Sequence, residues 1–337
     1  MLRLRFSTLY LILFALIFVN SYSAKAEDQA AYKIKEAIFL ATSLDELLGS
    51  ATQVNGSEVS KTLQKISQAL AYVSLTGDWH APKVHFSNVM SQAMFGAVHN
   101  GSPVQIRVPL RSMIGMLKAF RAVVKGNKEI SPNLMYAEIT LDHLRAMSNN
   151  LQGSKAEYDL EAVRTIIQGG AIWSHNLMHF TGKWFAPHVQ MKNLYNNLNG
   201  FLKTSAPDKD KARPYVESLI VITEGIRQDI ASPDSCPPGL AFVNAAMERL
   251  KNVKRLLLQD GAYNSIAVAA NLGSADAVMG YADVPSNFFA DKVIAGNILK
   301  AAKSAAERKQ PAAEIMRNLS EVMFKLHNIK EFYVDEE

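Results

Sequence analysis

The sequence predicts an all-α protein, a multi-helix bundle of about ten amphipathic helices that follows a cleaved signal peptide. Apolar residues recur at alternating spacings of four and three, which places them along one stripe of a helix. One such stripe comprises Val59, Leu63, Ile66, Leu70 and Val73. A second comprises Ile315, Leu319, Val322, Leu326 and Ile329. The one strand-like stretch, residues 104–110, is isolated and contains Pro109, so a sheet is not expected.

Residues 1–26 have the order of regions that is typical of a secretory signal peptide. Two arginines precede an uninterrupted apolar run from Leu9 to Val19, and a small-residue site closes the segment at Ala24 and Ala26. The run is shorter than the roughly 20 apolar residues of a bilayer-spanning helix. We therefore expect cleavage after Ala26, no transmembrane span in the mature chain, and a periplasmic or secreted bacterial location.

Composition narrows the class of protein further. The formal net charge is +5, but three of the basic residues lie in the signal peptide, so the mature chain would carry only +2. So small an excess of positive charge does not favour nucleic acid as a partner. Cys236 is the single cysteine, which excludes an intramolecular disulfide and a four-thiolate metal site. The lack of disulfides favours a bacterial periplasmic protein over a secreted eukaryotic one.

Proline and polar loops indicate how the helices are divided. Helix starts are expected at Ser131-Pro132, Pro187, Pro214 and Pro311, where proline suits the first turn. The polar loop at 204–213 is the best candidate for a domain boundary. It would divide the mature chain into an N-terminal helical region, 27–203, and a C-terminal helical region, 214–337, although one continuous domain is also compatible with the pattern.

We looked for an internal repeat by comparing residues 117–139 with residues 299–315. Both segments contain Ala-Glu-Ile, but the register is lost beyond that point. This comparison therefore predicts no repeat.

The densest cluster of candidate metal ligands lies in residues 169–191. His175 and His179 are four residues apart, so they are neighbours on one helix face. His188 follows a predicted helix start and would approach them if the second helix folds back on the first. Three imidazoles from a helix pair suit zinc, copper or iron. The alternative is a structural or surface role for all three.

Methionines extend the cluster. Met178 and Met191 each lie three residues after a histidine, one helical turn away. Thioether and imidazole ligands together suit Cu(I), and copper is handled in the periplasm. The alternative interpretation is that both methionines fill gaps in the hydrophobic core.

The segment from Tyr215 to Pro285 is loosely similar to the lytic transglycosylase family of helical cell-wall enzymes. Glu224 stands at the position of the family's catalytic acid, and residues 265–278 resemble its alanine-rich segment. The resemblance implies that Glu224 would protonate the glycosidic oxygen of peptidoglycan and then act as a base. The chain departs from the family pattern at Gly225, where a serine is expected.

These observations predict an exported, all-helical binding or scaffold protein whose partner is a protein or small ligand of the cell envelope. The histidine cluster would add a transition metal as cofactor. A peptidoglycan-acting protein that uses Glu224 is the alternative. The sequence contains no nucleophile elbow, phosphate-binding loop or dinucleotide fingerprint.

Overall fold

A computed structural model gives the structure of the chain. It describes residues 28–51, 53–71, 73–152, 160–203 and 208–335. Within these ranges every regular element is helical, which confirms the all-α bundle. The predicted signal peptide lies outside the described residues. In the described part of the chain, no helix is both long enough and apolar enough to cross a membrane.

The described residues form somewhat more helices than predicted, partly because a π-helical stretch, Ile166–Ile172, divides one helix into two short pieces. The α-helices are α1 (28–50), α2 (Gly56–Ala71), α3 (His80–Val98), α4 (Pro103–Val124), α5 (Pro132–Gln152), α6 (Leu160–Thr165), α7 (Trp173–Leu177), α8 (Phe185–Leu202), α9 (Lys209–Ala231), α10 (Pro238–Leu257), α11 (Ser265–Tyr281), α12 (Phe289–Glu307) and α13 (Ala312–Asp335). Short 3₁₀ turns precede three of them, at Gly77–Trp79, Gly182–Trp184 and Ser286–Phe288.

The chain divides into two compact units, Met1–Met135 and Tyr136–Glu337. In the first unit α3 packs against both α2 and α4, and Asp45 on α1 accepts hydrogen bonds from two arginines of α4. In the second unit α9 packs on α8, and α9 to α13 pack on one another. The predicted domain boundary at 204–213 falls between α8 and α9, within the second unit, and its residues 209–213 form the start of α9, while 204–207 lie outside the described residues.

The order of elements shows a repeat of about a hundred residues that the comparison in the sequence did not detect. Repeat 1 comprises α1 to α4, repeat 2 comprises α5 to α9, and repeat 3 comprises α10 to α13. Each repeat has a long first helix, a second helical segment, a 3₁₀ turn, and third and fourth helices. The segments compared above, 117–139 and 299–315, belong to non-equivalent helices, so their register could not hold.

The repeat is visible in the sequence at the 3₁₀ turns. Thr76–Val84 reads TGDWHAPKV and Thr181–Val189 reads TGKWFAPHV, with six identities in nine positions. The third copy, Pro285–Val293, reads PSNFFADKV. The same register holds in the core of the third helices. Buried residues that align there are Phe86, Met191 and Ala295; Met90, Tyr195 and Leu299; and Ala97, Leu202 and Ala306.

An aromatic side chain ends each 3₁₀ turn and packs on the fourth helix of its own repeat. Trp79 contacts Phe120 edge to face with ring centroids 6.1 Å apart, and Phe288 contacts Phe332 in the same way at 5.5 Å. Trp184 instead donates its indole N–H to Oδ2 of the buried Asp229 over 2.8 Å. The aromatic ring thereby fixes where the chain turns from the second helix into the third.

The observed helix starts agree with the prediction at α5 and differ from it at α9. Ser131 caps α5 as predicted, because its Oγ accepts the backbone N–H of Leu134 over 3.2 Å. The prediction that Pro214 begins a helix is wrong. The α9 helix begins at Lys209, where the side chain of Asp208 accepts the N–H groups of Asp210 and Lys211, and Pro214 lies inside the helix.

Gly225 lies where α9 packs closely against α10, and its substitution tests that packing. A Cβ atom there would lie 2.7 Å from Cβ of Ala241 and 3.0 Å from Sγ of Cys236. We expect Gly225→Ala to lower the free energy of unfolding by about 1–3 kcal/mol through overpacking. Urea unfolding of the purified protein measures the change.

Gly200→Ala on α8 is the matched control, since nothing lies within 4 Å of the added Cβ. That substitution should stabilise the same unit by about 0.5–1 kcal/mol through helix propensity. Equal effects of the two alanines would contradict the close packing at Gly225.

Candidate functional site

Two of the three predicted metal-ligating histidines come together between α7 and α8. His175 and His188 stack with ring centroids 4.1 Å apart. His175 Nε2 donates to the backbone carbonyl of His188 over 3.2 Å, and His188 Nε2 donates to the carbonyl of His175 over 2.9 Å. Because a carbonyl oxygen only accepts, both Nε2 atoms must carry a proton in this arrangement.

Burial keeps both rings neutral. His175 is completely buried, and this burial lowers its pKa to about 3, with a smaller contribution from neighbouring His188. Burial also lowers the pKa of His188. The two imidazoles therefore act at neutral pH as uncharged donors that join the end of α7 to the start of α8.

His179, the third predicted ligand, is exposed just beyond the end of α7. Its charge is near enough to contribute to the lowered pKa of His188. Among the described residues, no group of three or more His, Cys, Asp or Glu side chains is arranged to hold a metal ion. Metal binding through Nε2 of His175 or His188 would require their hydrogen bonds to break, and the metal site stays a prediction.

The repeat gives His188 a structural counterpart on either side. Lys83 and Lys292 occupy the same position in repeats 1 and 3, four residues after the aromatic of the 3₁₀ turn. Lys83 Nζ donates to the carbonyl of Val73 over 2.5 Å, and Lys292 Nζ donates to that of Ala282 over 2.6 Å. All three side chains thus satisfy a carbonyl at the end of the second helical segment.

The two methionines of the cluster, Met178 and Met191, are buried in the hydrophobic core. Burial is what their gap-filling interpretation predicts. A role as thioether ligands of copper stays a prediction.

Glu224, the catalytic residue of the alternative interpretation, lies on α9. Its Oε1 accepts a hydrogen bond from Nη2 of Arg145 on α5 over 3.0 Å, in an ion pair whose two side chains are both partly exposed. A second ion pair, between Arg227 and Glu138, joins the same helices. Exposed pairs of this kind add less than about 1 kcal/mol each. The catalytic role of Glu224 stays a prediction.

A groove of about 810 Å³ lies in the second unit where repeats 2 and 3 meet. It is within the usual size range of ligand pockets. Its apolar wall is rich in proline and aromatic residues, namely Pro187, Pro237, Pro285, Tyr281, Phe332 and Tyr333. The backbone of Pro237 and of Pro285 is extended, with ψ near 150° in both. We call this surface the proline groove.

The polar groups of the proline groove differ in whether they already have a hydrogen-bond partner. Lys292 and Tyr333 have one, since they donate to the backbone carbonyls of Ala282 and Asp283. Oε1 of Gln190 is buried and accepts no hydrogen bond from the described residues. A buried acceptor without a donor costs free energy, so Gln190 offers a ligand a place to donate an N–H group.

Exposed apolar side chains recur beside the 3₁₀ turns. Phe185 is 60% exposed and Val189 is 46% exposed at the start of α8, and Phe289 and Val293 occupy the same positions on α12 with 61% and 47% exposure. Val84 is the counterpart in repeat 1. On α8 and on α12 the two side chains are four residues apart, so they lie side by side on one exposed helix face.

Comparison with known proteins found no matching family model, no matching curated protein and no matching solved structure. Sequence reasoning found the histidine cluster, but it did not find the proline groove, which is assembled from five separate segments. The repeated aromatic and proline residues at the 3₁₀ turns were the signal that could have indicated its position.

The buried histidine pair predicts a loss of stability in acid. The unfolded chain binds a proton at each histidine below about pH 6.5, whereas folded His175 stays neutral until about pH 3, so protonation favours unfolding between these values. His175→Gln keeps an N–H donor of similar reach and does not titrate. We expect the wild type to lose about 2–3 kcal/mol more than this variant between pH 7 and pH 4.5.

Urea unfolding at both pH values measures this difference, and His99→Gln, at an exposed histidine, is the control. Identical acid sensitivity of the wild type and His175→Gln would contradict the buried neutral pair.

Proposed function

We propose that the protein is a non-catalytic binding or scaffold protein of the bacterial cell envelope, and that it binds an extended segment of a partner polypeptide in the proline groove. The observation that carries the proposal is the groove itself, a large cleft with one wall of proline and aromatic residues and a buried acceptor at Gln190 that has no donor among the described residues. Tandem helical repeats often serve this purpose, because stacked units create long binding surfaces.

The lining of the groove supports a proline-containing ligand. Grooves lined by aromatic side chains bind polyproline II segments, whose conformation is already extended before binding. A residue other than proline in such a segment would donate its backbone N–H group to Oε1 of Gln190. The exposed Phe185 lies one residue from Ala186 of the groove lining and would extend the apolar contact.

A labelled peptide tests the proposal directly. The probe is a fluorescein-labelled nonapeptide of three Ala-Pro-Pro units, and a Gly-Ser peptide of equal length is the control. We expect saturable binding of the proline peptide alone, measured by fluorescence anisotropy. Gln190→Ala should weaken binding about fivefold through loss of one hydrogen bond, whereas Gln68→Ala, at an exposed glutamine, should leave it unchanged. Absence of saturable binding, or equal binding of both peptides, would overturn the proposal.

The metal at His175, His179 and His188 is a separate proposal with its own measurement. The test is elemental analysis by mass spectrometry of protein purified without chelators. Copper, zinc or iron near one equivalent, lost in His179→Ala and kept in His99→Ala, would support this set of ligands. Metal content that does not respond to His179→Ala would count against it. Both substituted histidines are exposed, so neither change should disturb the core.

The enzymatic alternative rests on Glu224. Release of muropeptides from purified sacculi, lost in Glu224→Gln, would support it. The absence of release by the wild-type protein would exclude it and leave the binding role unaffected.

A further inference from the structure

The interface between repeats 2 and 3 shows how one repeat receives the next. The first half of α9 lies in a groove between α10 and α11. Asp210 Oδ2 accepts a hydrogen bond from Nδ2 of Asn264 over 3.2 Å. Glu217 accepts from the buried Arg249 and, over 3.3 Å, from Nδ2 of Asn252. The fourth helix of a repeat is thus held by the first two helical segments of the repeat that follows.

Repeat 1 has an equivalent groove, and none of the described residues fills it. A cleft of about 420 Å³ lies between α1 and α2. Five of its lining residues fall on residues of the α10–α11 groove when the numbering is shifted by 209, which is the spacing of Trp79 and Phe288. Ser43, Leu47, Asn55, Glu58 and Thr62 of this cleft correspond to Asn252, Leu256, Asn264, Ala267 and Asn271.

Helix capping fixes this register independently of the cleft. Asn55 Oδ1 accepts the backbone N–H of Glu58 at the start of α2, and Asn264 Oδ1 accepts that of Ala267 at the start of α11. Burial differs as expected for an unfilled groove. Leu47 is 62% exposed, whereas its counterpart Leu256 is only partly exposed beside α9.

The last helix carries the matching surface. At a shift of 104 residues, the spacing of Trp184 and Phe288, the groove-facing residues of α9 have counterparts of like chemistry on α13. Asp210, Arg213 and Glu217 correspond to Glu314, Arg317 and Glu321. Arg317 and Glu321 are exposed. The helix that ends the array therefore keeps the charged pattern that α9 uses to bind the next repeat.

We infer that the α1–α2 groove of one copy of this protein receives α13 of a second copy, head to tail, as the α10–α11 groove receives α9 within the chain. The occupant is a second copy because α13 repeats the α9 pattern and because the interface continues one already present in the fold. Terminal repeats normally have polar outer faces. Here α1 of the first repeat and α13 of the third instead expose Phe39 and Phe324, by 70% and 66%.

The equivalence of positions predicts the contacts. Phe39 and Phe324 correspond to Glu248 and Ile220, which line one cavity between α9 and α10, so the two rings would meet. Arg317 would face Glu46 and Glu58, whose counterparts near Arg213 are Arg255 and Ala267. At this position the interface between copies would bring an arginine against glutamates, whereas the internal interface brings two arginines together. The opposite charges favour binding of α13 in the α1–α2 groove.

Single substitutions test the association by sedimentation velocity over a wide range of protein concentration. The wild type should form concentration-dependent oligomers. Phe39→Glu and Phe324→Glu should each weaken self-association by about tenfold or more, as expected for an aromatic at the centre of an interface. Phe95→Glu is the matched control, since Phe95 is 67% exposed on α3 outside the proposed contact. A wild type that stays monomeric at all concentrations would overturn the inference, and so would an equal effect of Phe95→Glu.

Mixing the two variants tests the head-to-tail arrangement. Each variant alone keeps only one intact contact surface and should associate weakly, but an equimolar mixture should form a dimer with the affinity of the wild-type contact, and this dimer should grow no further. Absence of this dimer would contradict a heterologous interface. Circular dichroism of each variant checks that the fold is retained.

Cross-linking locates the contact. Ser43→Cys protein mixed with Glu321→Cys protein should give a cross-linked dimer with a short bismaleimide, because their counterparts Asn252 and Glu217 are in hydrogen-bond contact. Ser91→Cys, at an exposed position on α3, replaces Ser43→Cys in the control mixture. The native Cys236 is buried and should not react. Cross-linking within one chain of a Ser43→Cys/Glu321→Cys double variant, without dimers, would overturn the inference.

Discussion

The aromatic side chain that ends each 3₁₀ turn is the contact on which the rest of the structure depends. Trp79, Trp184 and Phe288 each anchor the turn on the fourth helix of their repeat, through a ring contact in two repeats and through the carboxylate of Asp229 in the other. The turn sets the angle at which the third helix leaves the second. An aromatic ring suits this position because it buries a large area while making a directional contact.

The second constraint is the side chain four residues after that aromatic, which satisfies a carbonyl at the end of the preceding helical segment. Lysine does this in repeats 1 and 3. In repeat 2 a buried histidine pair replaces it, and each ring donates to the backbone of the other residue. The replacement makes the middle repeat the acid-sensitive one, since a buried imidazole resists the protonation that acid imposes, whereas a lysine side chain is already protonated at neutral pH.

Tandem repetition explains the two surfaces that we connect to function. Where repeats 2 and 3 meet, loops from both form the proline groove, and α9 fills the cleft between α10 and α11. In repeat 1 the equivalent cleft between α1 and α2 is open among the described residues. A helix pair whose groove is open exposes apolar surface that is available for association.

The sequence by itself determined the helical class, the stripes that form the core of α2 and α13, and the cap at Ser131. Helical periodicity and capping are local, so one sequence suffices to read them. Tertiary structure decided what the histidines do, because their hydrogen bonds depend on how α8 folds back on α7. It also revealed the repeat and formed the grooves. Both depend on equivalent residues about a hundred positions apart, which are more often alike in their burial than in their residue type.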